Sequence, residues 1–302
     1  MSALQNLFTL AFVVTSMLSM GLSLTLSQIV QPLRNTRLVV MALAANFVLV
    51  PAAAFVLSRV IPLEKDVQIG LLLMGTAAGA PFLPKITQIA KSNVAFAVGL
   101  MTMLMVVTIV YLPIVLPLLL PGVEVDTLQI ALSLIVTMLA PLLIGLFIKA
   151  RYEGGAQTLQ PVMAQISTIS LALLLVLMLA VNFRNVLALF GTGAILATLL
   201  FIGISLLGGY LLGGPSKDTK RVLALGTGGR NLAAAFVIAT GNFADQPNVL
   251  VFLAAAGLVG MVVTFPTAAE FGKRSISTPA PEEPILSTTT AGGEEPPIST
   301  QP

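Results

Sequence analysis

The chain has 302 residues, 57% of them hydrophobic and only 9% charged, with a mean hydropathy of +1.00 and a net charge of +3; a soluble domain carries about 45–50% apolar and about 25% charged residues. These values describe an all-α polytopic membrane protein whose environment is the lipid bilayer, and nucleic acid is not an expected partner. Cys, His and Trp are absent, which removes disulfides, thiol nucleophiles, imidazole metal ligands and the usual pH switch; the chain is not expected to be an enzyme or to hold a cofactor.

A bilayer core of about 30 Å needs about 20 mostly apolar residues per helix. Nine segments meet that need, at Leu7 to Gln28, Leu38 to Ser58, Val67 to Ala90, Val94 to Leu120, Leu128 to Ala150, Val162 to Val181, Leu189 to Leu212, Val222 to Phe243 and Val249 to Phe271. The opening MSALQNLFTL has no basic n-region and no small-residue cleavage pattern, so it is read as the start of a retained helix. Clusters of Pro, Gly, Asn and Asp (QPLRN, IPLEKD, LPGVEVD, YEGG, GGPSKD, ADQPN) mark the turns between segments.

Loops on one side hold ten basic residues, from Arg34 and Arg37 through Lys91, Lys149, Arg151, Lys217, Lys220 and Arg221 to Lys273 and Arg274. The other side holds Arg59, Lys65 and Arg184, together with Asp66, Glu124, Asp126 and Asp245. The positive-inside bias puts the N-terminus outside and the C-terminus in the cytoplasm, in a membrane expected to be the bacterial cytoplasmic (inner) one. Residues 1–274 form the membrane domain. From Ser275 the chain reads STPAPEEPILSTTTAGGEEPPISTQP, too poor in apolar residues to bury a core, and a disordered cytoplasmic tail over 275–302 is expected.

Two segments contain breaks and a basic residue: GTAAGAPFLPK (Gly75 to Lys85) in the third and GTGGRN (Gly226 to Asn231) in the eighth. Their contexts, LLLMGTAAGAPFLPK and VLALGTGGRNLAAAF, share a Leu-rich run followed by Gly-Thr and small residues. Interrupted helices in matching positions of two halves point to a transporter site. Gly79, Pro81, Pro84, Gly228 and Gly229 disfavour continuous helix and free backbone groups at membrane depth, which are tolerated where they line a cavity or meet ligands. No acidic residue lies inside an apolar segment to neutralise Lys85 or Arg230. With the half-helix N-termini, the two cations favour an anion.

Small residues also serve close helix packing, and Lys85 lies about six residues, roughly 9 Å of helix rise, from the cytoplasmic end, within reach of the headgroups by snorkelling. Arg230 lies nearer the middle of its segment, where insertion of an Arg costs roughly 2.5–3.5 kcal/mol. Thr76, Thr227 and Asn231 join the candidate site because they sit in or beside the shared phrase. Asn46, Thr87, Gln88, Thr102 and Asn182 are further polar positions along a pathway or between helices. The isolated prolines Pro51, Pro113, Pro117, Pro141 and Pro266 read as kinks.

The broken third helix followed by AKSNVAFAV (Ala90 to Val98), and GTGGRNLAAAF in the eighth, resemble the two crossover helices of the bile acid:sodium symporter family. The resemblance covers about Leu7 to Phe271. It implies two inverted repeats, a panel of helices one, five and six, a core of the other six, and crossover of the two broken helices near mid-membrane. The family moves organic anions by alternating access, often with two sodium ions. Its Ser-Asn pair in the first crossover falls on Leu83 and Pro84, its hydroxyl ligands on the next helix on Ala97 and Met101, and its Glu and Gln of the second crossover on Ala224 and Gly228. Only Asn46 is a polar counterpart, of a Gln on the preceding core helix.

The loss of nearly every side-chain oxygen ligand argues against sodium coupling. Arg230 and Lys85 are candidates to supply the charge that bound sodium would bring. Substrate contacts are expected from Arg230, Asn231, Lys85, Thr76, Thr227, Gly228, Gly229, Gly79, Pro81 and Asn46, with a small organic anion as partner. The alternatives are a sensor or receptor on a transporter scaffold and a sodium-coupled symporter using backbone carbonyls. Substrate identity and oligomeric state are not legible.

Overall fold

The computed structural model describes residues 2–25, 27, 34–120, 126–181, 183–189 and 191–276. All regular structure among these is helical. Gln28, Glu124, Asn182 and the part of the expected tail from residue 277 onward lie outside the described residues.

The first helix, α1 (Ser2–Ser23), is followed by α2 (Thr36–Val60), whose start is fixed by Asn35: its Oδ1 accepts from the Leu38 N–H at 3.1 Å. Next come the short α3 (Lys65–Thr76) and α4 (Leu83–Ile89), then α5 (Val94–Leu119), α6 (Thr127–Arg151) and α7 (Glu153–Val181). The remainder are α8 (Phe183–Leu189), α9 (Ala194–Leu212), α10 (Lys217–Gly228), α11 (Leu232–Asn242) and α12 (Pro247–Ile276). Among the described residues eight helical stretches are long and apolar enough to cross a membrane, α10 and α11 counting as one stretch over Lys217–Asn242. The expected third span is not among the eight, because its break divides it into pieces of 12 and 7 residues.

Prolines shape α2 and α6. Each contains a π-helical turn, Ala45–Leu49 and Ile135–Leu139, directly ahead of Pro51 and Pro141. Proline cannot donate to the carbonyl four residues back and crowds it, and a widened turn relieves that crowding. In α2 the carbonyl concerned is that of Phe47, and the Tyr111 hydroxyl of α5 donates to it at 2.7 Å.

Some boundaries differ from the expected ones. YEGG was expected as a turn, yet only Tyr152 falls outside helix and α7 starts at Glu153. Glu153 stands in the first turn, at the positive end of the helix dipole, and receives Lys149 at 2.9 Å across the junction. The seventh segment begins at Ala194 after Gly193 at φ +75, with α8 a separate short helix. At the other end α12 continues past Ser275, where the Arg221 guanidinium of α10 donates to the Ser275 hydroxyl.

Packing divides the helices into two groups. α1 lies along both α6 and α7, and a glycine crossing sets its distance from α6: a Cβ on Gly145 would stand 2.6 Å from the Leu18 carbonyl oxygen. The second group joins α10 to α9, α3 to α2 and α12, and α4 to α5. In it α10 and α11 are enclosed on all sides, with every residue from Val222 to Ala239 buried.

Candidate functional site

The first break follows Thr76. Residues 77–80 leave the helix, Pro81 and Phe82 make a turn, and α4 resumes at Leu83 with Pro84 in its first turn. Gly79 adopts φ +84, and a Cβ there would stand 2.5 Å from the Met105 nitrogen and 2.9 Å from the Met101 carbonyl oxygen of α5. Only glycine meets both demands. One residue earlier, the Thr108 hydroxyl of α5 accepts from the Ala78 N–H and donates to the Ala78 carbonyl, both at 3.1 Å, so a side chain takes the place of the missing helix partners. Thr108→Val keeps the shape and orphans two buried backbone groups at roughly 1–3 kcal/mol each; thermal unfolding of the purified protein is expected to show a clear loss of melting temperature.

The second break is Gly229, Arg230 and Asn231. Asn231 caps α11, its Oδ1 accepting from the Ala234 N–H at 3.1 Å, while its own N–H donates to the Ala77 carbonyl at 3.0 Å. That bond joins the two breaks directly. Gly229 lies against them as well, with the Phe82 ring and the Ala80 Cβ within 4 Å of where its Cβ would be.

Arg230 is 3% exposed, and its guanidinium is surrounded by oxygens. Nε donates to the Met74 carbonyl at 2.9 Å and Nη2 to the Gly75 carbonyl at 2.8 Å; Nη1 donates to Asn46 Oδ1 at 3.0 Å and to the Thr227 carbonyl at 3.3 Å. Met74 and Gly75 belong to the last turn of α3, the negative end of its dipole. Four of the five guanidinium N–H donors are thus committed to one cluster of acceptors. Asn46 is fixed in turn, its Nδ2 donating to the Ala42 carbonyl at 3.0 Å and to Thr227 Oγ1 at 3.2 Å.

What remains at the junction is a surplus of donors. Among the described residues, Asn231 Nδ2 is buried without an acceptor, and no backbone hydrogen bond uses the N–H of Gly79, Ala80 or Arg230. A cavity of about 20 Å³ adjoins Arg230, Gly228 and Gly229 and is closed by Phe82, Met74 and Thr264; it has room for about one water molecule.

The structure gathers Arg230, Asn231, Asn46, Thr227, Gly228, Gly229 and Gly79 at this junction. Thr76 is buried beside it, but its hydroxyl turns back to the Leu72 and Leu73 carbonyls, and Pro81 sits half-buried in the turn. Lys85 is on the exposed face of α4 and has no hydrogen bond or ion pair with any described residue. The two cations are not brought together. Lys85→Gln should leave thermal stability within about 0.5 kcal/mol of the parent, as a denaturation curve will show. Leu83, Ala97, Met101 and Ala224 are all buried, with Leu83 and Leu100 closing over Gly226.

A second feature had no forewarning. Asn6 and Thr9 of α1, Ser133 and Thr137 of α6, and Thr240 of α11 line a groove of about 220 Å³ between the two helix groups. The hydroxyls of Thr9, Thr137 and Thr240 donate to carbonyls of their own helices at 2.6–3.0 Å, so they offer the groove lone pairs. The available signal was a set of hydroxyls within apolar segments, each with a helix-internal role that masked it. Thr108 and Tyr111 carry no signal in the sequence for a related reason: their partners are backbone atoms, of the first break and of α2 respectively.

Comparison with known proteins accords with a helical membrane protein. The chain is 26% identical over 243 residues to the probable sodium/metabolite cotransporter BASS1, chloroplastic, of Arabidopsis thaliana, covering 79% of this chain and 60% of that protein. Its counterpart of the same name in Oryza sativa subsp. japonica is 26% identical over 239 residues, with coverage of 76% and 57%. The uncharacterized sodium-dependent transporter YocS of Bacillus subtilis (strain 168) is 23% identical over 233 residues, with coverage of 75% and 72%. The chain thus spans about three-fifths of the length of the two plant relatives. The profile of the sodium bile acid symporter family matches residues 10–189, a stretch that runs from α1 through the first break to the end of α8, and the chain belongs to that family of transporters.

Proposed function

We propose that the protein is a secondary transporter of a small organic anion, working by alternating access, in which the Arg230 guanidinium stands where a bound sodium ion would otherwise hold the crossing together. The observation that carries the reading is the hydrogen bonding of Arg230. Unwound carbonyls and half-helix C-termini are the groups that coordinate sodium in broken-helix transporters. Here the Met74, Gly75 and Thr227 carbonyls and Asn46 Oδ1 already accept from a fixed positive charge. Carbon occupies the side-chain positions that would complete a cation shell, at Leu83, Ala97, Met101 and Ala224, so the residues present at this junction do not fit sodium.

The same accounting favours an anion. With the acceptors satisfied by Arg230, Asn231 Nδ2 and the unpaired N–H groups of the breaks require acceptors, and a carboxylate provides them without a proton to lose. The 20 Å³ cavity does not hold an organic anion, so binding needs the two helix groups to part. The groove between α1, α6 and α11 is where a solute would enter first. In this reading α3 and α4 together make the ninth crossing, the N-terminus is outside and the C-terminus cytoplasmic.

Sodium coupling is the second reading, favoured by the names of the plant and Bacillus relatives. Proteoliposome uptake of a panel of radiolabelled carboxylates separates the two. Uptake that continues when potassium replaces sodium, and that disappears in Arg230→Ala, supports the guanidinium reading. Uptake that needs sodium in the parent protein overturns it.

A further inference from the structure

A further cavity lies away from the crossing, at helix ends on the side of the basic loop residues Arg37 and Lys220. It has a volume of about 540 Å³ and is bounded by the start of α2, the end of α9 and the start of α10. Its walls divide by chemistry. Leu38, Met41, Leu211 and Leu212 give it an apolar floor and Arg37 and Lys220 a basic rim, and among the described residues no acidic one lines it.

The local sequence brings these groups together. Gly214 turns the chain with φ +79, and the adjoining Gly213 lets the end of α9 abut the backbone of Lys220, a contact that any Cβ would prevent. Asn35 and Ser216 cap α2 and α10 at the groove, so two helix N-termini open on it. Lys220 lies 5.7 Å from the centroid of the Tyr210 ring, which stacks on Phe271 at 6.1 Å. Neither Arg37 nor Lys220 has a carboxylate partner among the described residues.

We infer that this groove is a binding site for an anionic glycerophospholipid, with the phosphate held between Arg37 and Lys220 and an acyl chain along Leu38, Met41, Leu211 and Leu212. The ends of membrane helices lie at headgroup level, where Lys and Arg attract anionic lipid and aromatic rings settle. A free phosphate would use the rim and leave the apolar floor wet. A neutral lipid would use the floor and leave Arg37 and Lys220 without a net anionic partner. Only a lipid with a net negative headgroup satisfies both parts, and the site is independent of Arg230.

The test is native mass spectrometry of the full chain in detergent, titrated separately with phosphatidylglycerol, phosphatidylcholine and inorganic phosphate. Phosphatidylglycerol should bind well above phosphatidylcholine, and the double variant Arg37→Gln/Lys220→Gln should weaken it about thirtyfold. Met41→Trp, which fills the floor and keeps both charges, should weaken it as well; an unchanged elution volume for each variant shows that it is folded. Equal binding of the two lipids, full phosphatidylglycerol binding by the double variant, or displacement of the lipid by equimolar phosphate would each overturn the assignment.

Discussion

Arg230→Ala is expected to lower the melting temperature by about 10 °C and to abolish uptake. The variant strips the donors from the Met74, Gly75 and Thr227 carbonyls and from Asn46 Oδ1. Each buried acceptor left without a partner costs roughly 1–3 kcal/mol, and about 3–5 kcal/mol remains once neighbours relax; in a chain of this size each kcal/mol moves the midpoint by about 2–4 °C. Arg230→Lys should fall between the two proteins, because an ammonium has three donors and no planar fork. Sodium should partly restore Arg230→Ala, since truncation exposes a cluster of oxygens at the negative end of α3. A variant as stable as the parent in sodium-free buffer would show that the four bonds hold little.

Gly79→Ala should be at least as damaging, by a different route. The position combines φ +84 with a would-be Cβ 2.5 Å from the Met105 nitrogen and 2.9 Å from the Met101 carbonyl oxygen. A left-handed conformation costs a non-glycine residue roughly 1–2 kcal/mol. The contact with α5 adds more, because the opposing atoms are helix backbone and cannot turn aside. Relieving it means moving the first break away from α5, which stretches the Thr108 bonds to Ala78 and the Asn231 bond to Ala77. Loss of the monodisperse peak in size-exclusion chromatography, or a midpoint lowered by more than in Thr108→Val, is the expected result. A well-folded, active Gly79→Ala would contradict the tight approach of α3 to α5.

The breaks themselves were legible, since Gly79, Pro81 and Pro84 in one segment and Gly228 and Gly229 in the other carry their backbone effects wherever they stand. Their limits were less so: Thr76 and Gly228 remain helical, because a helix can run up to a glycine and end only where the next N–H or φ fails it. Arg230 was legible as a buried cation, but its partners were not. A search for an acidic side chain finds none, whereas the actual acceptors are mostly carbonyls, present at every residue and distinguished only by the fold. Lys85 shows the converse, where residue type suggested a role and the phase of the seven-residue α4 turned the side chain outward. The π-helical turns ahead of Pro51 and Pro141 follow from proline chemistry, yet the hydroxyl of Tyr111 that serves the first comes from a helix some sixty residues away.

The proposal that the Arg230 guanidinium replaces a bound cation is tested most directly by the sodium dependence of thermal stability, measured for the parent protein and for Arg230→Ala at constant ionic strength with potassium as the balancing ion. A ligand that binds only the folded state raises its stability with concentration. The parent midpoint is predicted to stay constant as sodium replaces potassium, while that of Arg230→Ala rises. A parent protein stabilised by sodium, with no response in Arg230→Ala, would contradict the account.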